Sequence, residues 1–258
     1  MDLKLKNKTI VVTGGNKGIG RSISEVLTDE NAAVAICATD ESSGTLFEKS
    51  LTKQGKEARF YRTDVSSEFE VQKTIDKIIE DFGEIYGLVN NAGISMPMKE
   101  LHEIEIEEWN HVLNVNLNGT FLMTKHTIPA MIEKKSGAIV NISSIAALVE
   151  GSNKPPAAYG ASKGAILSFS RTAAMKYANM GIRINAVCPG PVYSEQLERR
   201  ASESSDSISY LQKLASSIPL GRIGQPDDIA RLVAFLISPV SSFITGTHVI
   251  IDGGFTSR

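Results

Sequence analysis

The amino-acid sequence alternates short runs of β-branched residues with longer stretches in which apolar side chains recur every three or four positions. The first such run is Thr9–Thr13 (TIVVT), and a helical pattern follows it from about Ile19 to Leu27. Repetition of a strand and an amphipathic helix along a chain is typical of a parallel sheet that has helices on both faces. We therefore predict an α/β fold with a doubly wound, Rossmann-like parallel sheet.

The same alternation continues to the end of the chain. Further predicted strands are Val34–Ala38, Ala58–Tyr61, Tyr86–Val89, Ala138–Ile142, Ile182–Val187 and Thr247–Ile251, and further predicted helices are Phe69–Phe82, Trp109–Ile132 and Ala157–Tyr177. A length of 258 residues suits one large domain. We predict a single domain over residues 1–258, in which the polar, serine-rich segment Ser194–Ser217 forms a mobile helical lid. A surface insertion without a function is the alternative for that segment.

Composition and charge limit the classes of protein to consider. The 27 basic and 29 acidic residues give a formal net charge of −2, so no broad cationic surface for nucleic acid is expected. The sequence has neither a membrane-length apolar run nor the apolar core of a signal peptide, which favours the cytoplasm. Cys37 and Cys188 lie in apolar, strand-like runs and are expected to be reduced, buried thiols. The four histidines show no metal-ligand spacing, so no metal is expected.

A glycine-rich loop joins the first predicted strand to the first predicted helix. Its sequence is TGGNKGIG, Thr13–Gly20, with the spacing Gly-x3-Gly-x-Gly. Glycines let the chain turn tightly and let backbone N–H groups approach a pyrophosphate, which the positive N-terminus of the helix attracts. The loop therefore predicts a dinucleotide site with contacts to Gly14, Asn16, Lys17, Gly18, Ile19 and Gly20.

Tyr159 and Lys163 are four positions apart, so on a helix they share one face. A tyrosine has an ordinary pKa of about 10, which is too high for efficient proton exchange at neutral pH. A nearby ammonium group favours the phenolate and lowers that pKa. The pair can therefore exchange a proton with an alcohol or a carbonyl oxygen. Taken alone, however, the spacing is common on helices and also fits a purely structural pair.

Taken together and in this order, the motifs resemble those of the short-chain dehydrogenase/reductase family, in particular its 3-oxoacyl-carrier-protein reductase and glucose 1-dehydrogenase-like branch. The motifs that carry the resemblance beside the glycine loop are Asp64-Val65, Asn90–Gly93, Asn114–Leu117, Ser143-Ser144, Tyr159–Lys163 and Pro189-Gly190. They extend over essentially the whole chain. The resemblance implies an NAD(P)-dependent enzyme that transfers hydride between a nicotinamide and a secondary alcohol or ketone. A 3-oxoacyl thioester, a sugar and another hydroxy metabolite all remain open as the substrate.

The resemblance also implies a catalytic set. In it, Tyr159 is the acid/base beside Lys163, Ser144 binds the substrate oxygen, and Asn116 orders a water beside the lysine. Asn114 and Ser143 are the neighbouring alternatives for two of these roles. The family pattern further implies cofactor contacts from Thr39, Asp64, Val65, Asn91, Tyr159, Lys163, Pro189, Val192 and Ser194. Of these, Asp64 and Asn91 would serve the adenosine end, and Pro189, Val192 and Ser194 the nicotinamide.

The choice between the two nicotinamide cofactors depends on the end of the second predicted strand. An acidic residue there binds the bare ribose of NAD, but this chain has Ala38 followed by Thr39. Lys17 can bring a positive charge to the 2′-phosphate of NADP. Asp40 is the opposing feature, because it could bind the ribose hydroxyls and favour NAD. We therefore predict NADP(H) as the favoured cofactor and keep NAD(H) as possible.

The family pattern finally implies a small-molecule substrate and a homotetramer, or a dimer, built through the helices Trp109–Ile132 and Ala157–Tyr177. The apolar residues expected near the substrate are Met96, Met98, Leu148, Tyr193 and Leu197. The alternative function is a catalytically silent nucleotide-binding regulatory or scaffold protein on the same fold. Such a protein would be expected to lose the catalytic tyrosine or lysine, and both are present here.

Overall fold

A computed structural model describes residues 2–149, 156–202 and 206–257. Within these ranges the strands are β1 Thr9–Thr13, β2 Ala33–Ala38, β3 Ala58–Arg62, β4 Gly87–Asn90, β5 Gly137–Ile142, β6 Ile182–Pro189 and β7 His248–Ile251. They form one sheet in the order β3-β2-β1-β4-β5-β6-β7, and every neighbouring pair is parallel. The predicted fold, a doubly wound parallel sheet, is confirmed.

The helices of the described residues are α1 Gly18–Asp29, α2 Glu41–Thr52, α3 Glu68–Phe82, α4 Ile106–Leu113, α5 Gly119–Lys134, α6 Ala157–Tyr177, α7 Glu195–Ser202, α8 Ser207–Ser216 and α9 Pro226–Ile237. Two of them, α2 and α9, are not among the helices predicted from the sequence. Both begin with recognisable caps. The Asp40 carboxylate accepts a hydrogen bond from the Ser43 N–H at the start of α2, and Gln225 and Asp228 form a capping box around Pro226 of α9.

The single long helix predicted over Trp109–Ile132 is two α-helices in the structure. A π-helical turn, Asn114–Asn118, joins α4 to α5, and the combined segment runs from Ile106 to Lys134. A π-turn adds a residue to the helical turn and shifts the side chains that follow it, which the spacing of apolar residues does not reveal. Asn116 lies in this turn and is completely buried.

Helices cover both faces of the sheet, and the strand side chains alternate between two apolar cores. Ile10 and Val12 of β1 belong to the core formed with α1, α2 and α9, whereas Val11 belongs to the core formed with α3, α5 and α6. All three side chains are fully buried, and burial of one such side chain contributes about 1.5–3 kcal/mol. Because the strands are parallel, their carboxyl ends meet at one edge, where open α/β sheets bind ligands.

The described residues contain no helix that combines the length and the apolar character needed to cross a lipid bilayer. Within the same ranges, no group of three or more histidine, cysteine, aspartate or glutamate side chains is arranged to hold a metal ion. Both cysteines are buried and form no disulfide.

Candidate active site

A cavity of about 470 Å³ lies at the carboxyl edge of the sheet. It is lined by the segments that follow β1, β4, β5, β6 and β7, together with parts of α1, α6, α7 and α8. The predicted site residues that line it are Gly14, Asn16, Lys17, Gly18, Ile19, Asn91, Ser144, Tyr159, Lys163, Pro189, Val192 and Ser194. The predicted site residues outside its lining are Gly20, Thr39, Asp64, Val65 and Asn116. Among the predicted site residues, the cavity therefore brings together Gly14 and Ser194, which are 180 positions apart.

The glycine loop has the conformation that its glycines predict. Gly14 (φ +60°) and Gly18 (φ +50°) lie in the left-handed region, which glycine adopts without strain. A Cβ atom on Gly20 would overlap the carbonyl oxygen of Gly14, so only glycine at position 20 allows the first turn of α1 to pack this closely against the loop. Asn91, directly after β4, stabilises the loop, because its Nδ2 donates hydrogen bonds to the carbonyls of Thr13 (2.9 Å) and Gly14 (3.2 Å).

The loop and the start of α1 fit the pyrophosphate of a dinucleotide. Helix α1 begins at Gly18, and Lys17 at its N-cap position supplies no side-chain hydrogen bond to the helix N-terminus. A Cβ atom on Gly18 would meet nothing within 4 Å, so the space beside the loop is open. Backbone N–H groups at a helix N-terminus beside an open cavity favour binding of a phosphate group.

An ion pair connects the glycine loop to the end of β2. The Lys17 Nζ lies 2.8 Å from the Asp40 Oδ2. The hydrogen bond from Lys17 lowers the pKa of Asp40 to about 2, and the same bond raises the pKa of Lys17. Asn16 adds a second link, since its Nδ2 donates to the Ser43 Oγ at 2.7 Å. Asp40, the acidic residue that could favour NAD, is therefore held in place by its ion pair with Lys17 and by its hydrogen bond to the N-terminus of α2.

Three predicted cofactor-binding residues outside the cavity lining, Thr39, Asp64 and Val65, lie after β2 and β3. The Asp64 carboxylate accepts from the N–H (2.9 Å) and the Oγ (2.7 Å) of Ser66. Val65 is buried against the position of Gly119, and Thr39 directly follows β2. Their contacts with a cofactor remain predictions.

Tyr159 and Lys163 lie on successive turns of α6, as their spacing predicts. The Lys163 Nζ is 5.6 Å from the centre of the Tyr159 ring and donates to the Ile142 carbonyl at 2.9 Å. Lys163 is only 4% exposed, and this burial lowers its pKa to about 8. At neutral pH the ammonium form still dominates, so a positive charge lies beside the tyrosine and favours its phenolate.

The two serines after β5 have different partners. The Ser143 Oγ is buried and donates to the Lys163 carbonyl at 2.7 Å, so it ties β5 to α6. The Ser144 Oγ accepts from the Ala146 N–H at 3.1 Å, an arrangement that leaves its own proton available to a ligand oxygen. This difference favours Ser144 over Ser143 as the residue that meets a substrate.

Asn116 lies behind the cavity wall and connects two of its segments. Its Nδ2 donates to the Ile94 carbonyl (2.9 Å) and to the Ser162 Oγ (3.0 Å), and its Oδ1 accepts from the Ile94 N–H (2.8 Å). A Cβ atom on Gly93 would lie 3.2 Å from the Asn116 Oδ1 and 3.3 Å from the Lys163 Nζ, so these side chains converge beneath Gly93. Asn114, the alternative, is exposed.

The segment predicted to be a lid, Ser194–Ser217, contains α7 and α8, and residues 203–205 within it lie outside the described part. The Ser194 Oγ accepts from the Leu197 N–H at 3.2 Å, so Ser194 caps α7 while lining the cavity. The helical character of the segment agrees with the expectation, and its motion remains a prediction.

Several apolar residues that line the cavity were not predicted from the sequence, namely Ile94, Ile142, Ile145, Val149, Tyr210, Leu214 and Phe255. Of the residues expected near the substrate, Leu197 lines the cavity and Tyr193 packs behind it. Met96 is buried against α4, and Met98 and Leu148 are exposed. A signal for Phe255 was available, because Gly253-Gly254 turns the chain after the last strand at the edge where the cavity lies.

Comparison with known proteins gives matches over the whole length. A family model described as enoyl-(acyl carrier protein) reductase matches residues 14–256. The chain is 36% identical over 257 residues to 2-(S)-hydroxypropyl-CoM dehydrogenase 3 of Xanthobacter autotrophicus, with 100% of both chains covered. It is 34% identical to the 3-oxoacyl-[acyl-carrier-protein] reductase of Chlamydia pneumoniae, over 99% of this chain and 100% of the relative. The crystal structure of a short-chain type dehydrogenase/reductase from Mycobacterium marinum has a TM-score of 0.92 and 28% identity, over 99% of this chain and 98% of that one.

These relatives are named as dehydrogenases and reductases, and they lend no support to a catalytically silent scaffold protein. The matches extend over the glycine loop, the strand ends and the tyrosine–lysine helix that line the cavity. The chain therefore belongs to the short-chain dehydrogenase/reductase family and is an NAD(P)(H)-dependent oxidoreductase that acts on the alcohol or carbonyl groups of small molecules.

Proposed function

We propose that Tyr159 is the catalytic acid/base in the interconversion of a secondary alcohol and a ketone, and that Ser144, Lys163 and Asn116 complete the catalytic set. One observation carries this proposal. Tyr159 and Ser144 line the same cavity, while the buried Lys163 ammonium group lies 5.6 Å from the tyrosine ring. A cation at that distance in a water-poor site favours the phenolate that proton transfer requires.

In the direction of oxidation, the alcohol loses its hydroxyl proton to the Tyr159 phenolate and loses a hydride, with its electron pair, from the carbon that bears the oxygen. The nicotinamide of the bound cofactor supplies the acceptor for that hydride, or the donor in reduction. Ser144 donates a hydrogen bond to the substrate oxygen and holds it beside Tyr159. In reduction the same groups act in reverse, and Tyr159 gives its proton to the developing alkoxide.

Asn116 has a different task, because it lies behind the cavity wall. Its hydrogen bonds to Ile94 and Ser162 hold the segment after β4 against α6, the helix that carries the tyrosine and the lysine. We propose that it thereby positions Lys163 and, following the family pattern, orders a water beside that lysine.

For the cofactor, we propose that the glycine loop binds the pyrophosphate and that residues after β6 contact the nicotinamide. The residues assigned to the pyrophosphate are Gly14, Asn16, Gly18, Ile19 and Gly20. Those assigned to the adenosine end are Lys17, Thr39, Asp64, Val65 and Asn91, and those at the nicotinamide are Pro189, Val192 and Ser194, beside Tyr159 and Lys163. The open space beside Gly18 and the uncapped start of α1 support this arrangement.

We also propose a preference for NADP(H) over NAD(H). The end of β2 supplies no carboxylate at Ala38 or Thr39. Asp40, which could bind the ribose hydroxyls, caps α2 and pairs with Lys17 instead. A 2′-phosphate near Lys17 would compete with Asp40 for the ammonium group, and a doubly charged phosphate is the stronger partner.

We extend the proposal to the oligomeric assembly and to the motion of the segment Ser194–Ser217. We propose a homotetramer or a dimer built through α5 and α6, which carry the partly exposed Phe121 and Phe169 in an edge-to-face contact. We propose that Ser194–Ser217 closes over the substrate.

The cytoplasm is the proposed location, because the buried, unbridged cysteines Cys37 and Cys188 suit a reducing compartment. For the substrate, the names of the relatives support a hydroxy or oxo compound. A 3-oxoacyl thioester, a sugar and another hydroxy metabolite are the candidates that the sequence leaves open.

Replacement of the tyrosine hydroxyl tests the catalytic assignment. We expect Tyr159→Phe to lower kcat by about 100-fold or more, because the variant cannot transfer the proton. Binding of reduced cofactor, followed by its fluorescence, should be unchanged. Tyr177→Phe, on the same helix but outside the cavity, is the matched control and should keep the parent rate. Near-normal turnover by Tyr159→Phe would contradict the assignment.

A further inference from the structure

A cluster of apolar side chains from four parts of the chain lines one side of the cavity. Leu197 of α7 and Phe255 near the C-terminus are buried in it, and Ile145, Tyr210 and Leu214 pack against them. All five residues line the cavity, and we call them the apolar wall. Ile145 directly follows the serine that is proposed to hold the substrate oxygen. The apolar wall therefore begins beside the reacting group.

Phe255 is fixed in this wall by the turn that precedes it. The Asp252 Oδ1 accepts from the Gly254 N–H, and its Oδ2 accepts from both the N–H and the Oγ1 of Thr256, each at 2.8 Å. Gly253 (φ +66°) and Gly254 (φ +88°) both adopt left-handed backbone conformations. The turn leaves the Phe255 side chain only 8% exposed. The ring is thus a preformed part of the cavity rather than a loose end of the chain.

The charged residues of the cavity lie elsewhere. Among its described lining residues, the charged ones are Lys17, Lys163 and Glu195. Lys17 belongs to the glycine loop, and Glu195 lies close enough to it to raise the pKa of its ammonium group. The Lys163 ammonium group is buried and bonded to the Ile142 carbonyl. The described apolar wall therefore places no charged group against a substrate.

We infer that the substrate carries hydrocarbon, cyclic or open-chain, on the carbon that bears the reacting oxygen, and that Phe255 and Leu214 select it over polyols and hydroxy acids. This inference rests on the proposed function, since it assumes that Tyr159 and Ser144 hold that oxygen. Hydroxyl or carboxylate groups placed against the side chains of Ile145, Leu197, Leu214 and Phe255 lose their water without gaining hydrogen bonds from them, which disfavours polar substrates. Hydrocarbon loses nothing there and gains contacts.

The first experiment compares substrates of similar shape and different polarity. Values of kcat/KM are measured for cyclohexanol against myo-inositol, a six-membered ring with a hydroxyl on every carbon, and for 4-methyl-2-pentanol against 3-hydroxybutyrate, in which a carboxylate replaces the terminal isopropyl group. Each is assayed with NADP⁺ and with NAD⁺. We expect the hydrocarbon alcohol of each pair to be favoured by about 100-fold or more. Equal or better turnover of the polar partner would overturn the inference.

The second experiment uses two leucines on α8. Leu214 lines the cavity, whereas Leu211 packs against the same apolar cluster without lining it. We expect Leu214→Ala to raise KM for cyclohexanol by about 10-fold and Leu211→Ala to stay within about 2-fold of the parent. Phe255→Ala should behave like Leu214→Ala, and Phe243→Ala, at a fully exposed position, is its matched control. Equal effects of the two leucine variants would overturn the inference.

A binding measurement separates this inference from the proposed function. Cyclohexanol is titrated calorimetrically into the enzyme with NADPH, a complex that cannot react because both partners are reduced. Weaker binding to Leu214→Ala than to Leu211→Ala supports the apolar wall, and no binding to the parent overturns it. Absence of turnover with every compound would contradict the proposed function, and the titration would still decide the inference.

Discussion

At the scale of single residues, Lys163 carries an ammonium group that is almost completely buried, and burial lowers its pKa from about 10.4 to about 8. Below the lower value the lysine is protonated in both the folded and the unfolded chain. Between the two values the unfolded chain binds the proton and the folded chain does not. The free energy of unfolding therefore rises with pH over this window, as far as Lys163 contributes to it.

The pH dependence of stability tests this ionisation without any cofactor. Between about pH 7.5 and about pH 9.5 we expect the parent to gain about 2 kcal/mol more stability than Lys163→Met, which lacks the titrating group. Urea unfolding at the two pH values gives the free energies. Lys176→Met, at an exposed position of the same helix, should show the pH dependence of the parent. Equal slopes for the parent and Lys163→Met would show that the lysine is not perturbed.

The ion pair between Lys17 and Asp40 allows a test of cofactor choice. We expect Lys17→Ala to lower the ratio of kcat/KM for NADP(H) over NAD(H) by about 10-fold, because a charged contact to the 2′-phosphate is lost. Asp40→Asn keeps an oxygen that can cap α2 but removes the competing charge, so the ratio should rise. Dissociation constants for the two reduced cofactors, measured by fluorescence, should change in the same sense. A parent that prefers NAD(H), with a ratio unaffected by either variant, would contradict the proposal.

At the scale of elements, the sequence predicted the parts that have a strong periodic pattern. The strands follow from β-branched runs separated by amphipathic stretches, and the catalytic motifs could be placed because most of them follow a predicted strand or begin a predicted helix. Helix α2 was not predicted because Gly44 and several serines weaken the apolar periodicity of its sequence. The π-turn Asn114–Asn118 was not predicted because it depends on buried hydrogen bonds from Asn116 to Ile94 and Ser162, which are 22 and 46 positions away in the sequence. Such contacts leave no local signal.

Most residues of the apolar wall could likewise not be predicted from the sequence. Leu197 was expected from its position after β6, whereas Tyr210, Leu214 and Phe255 lie in segments whose path over the sheet edge is a tertiary property. The sequence therefore predicted the residues around the reacting oxygen better than the residues that contact the rest of the substrate.

The proposed lid gives an element-scale prediction. None of the described side chains of α8 is fully buried, whereas α9, also a surface helix, buries six residues against the sheet and α1. Release of α8 exposes little apolar surface, and among the described side chains of α7 the buried ones are Leu197 and Ala201. We therefore expect α7 and α8 to exchange amide hydrogens faster than α9 in the cofactor-free enzyme. Addition of NADPH and a substrate-like alcohol should slow exchange in α7 and α8. Hydrogen exchange that is as slow as in α9 and insensitive to ligands would show that the segment is a fixed part of the structure.

At the scale of the whole molecule, α6 contributes both to the active-site cavity and to the surface proposed for the assembly. On α6, Tyr159 and Lys163 line the cavity, whereas Met175 is largely exposed. On α5, the Phe121 ring is 47% exposed and meets Phe169 edge to face, with ring centres 6.4 Å apart. An assembly through these faces would therefore brace the helix that carries the proposed catalytic pair.

Replacement of the exposed aromatic ring tests the assembly. We expect the parent to sediment as a tetramer or a dimer, and Phe121→Glu to shift the distribution toward smaller species. A two-fold symmetric interface contains each residue twice, so loss of about 1.5–3 kcal/mol of apolar burial per ring is doubled, and two carboxylates are brought together. Phe69→Glu is the matched control, because Phe69 is even more exposed but lies on α3. The same mass for the parent and Phe121→Glu over a range of concentrations would exclude this face, and a monomeric parent would exclude the assembly itself.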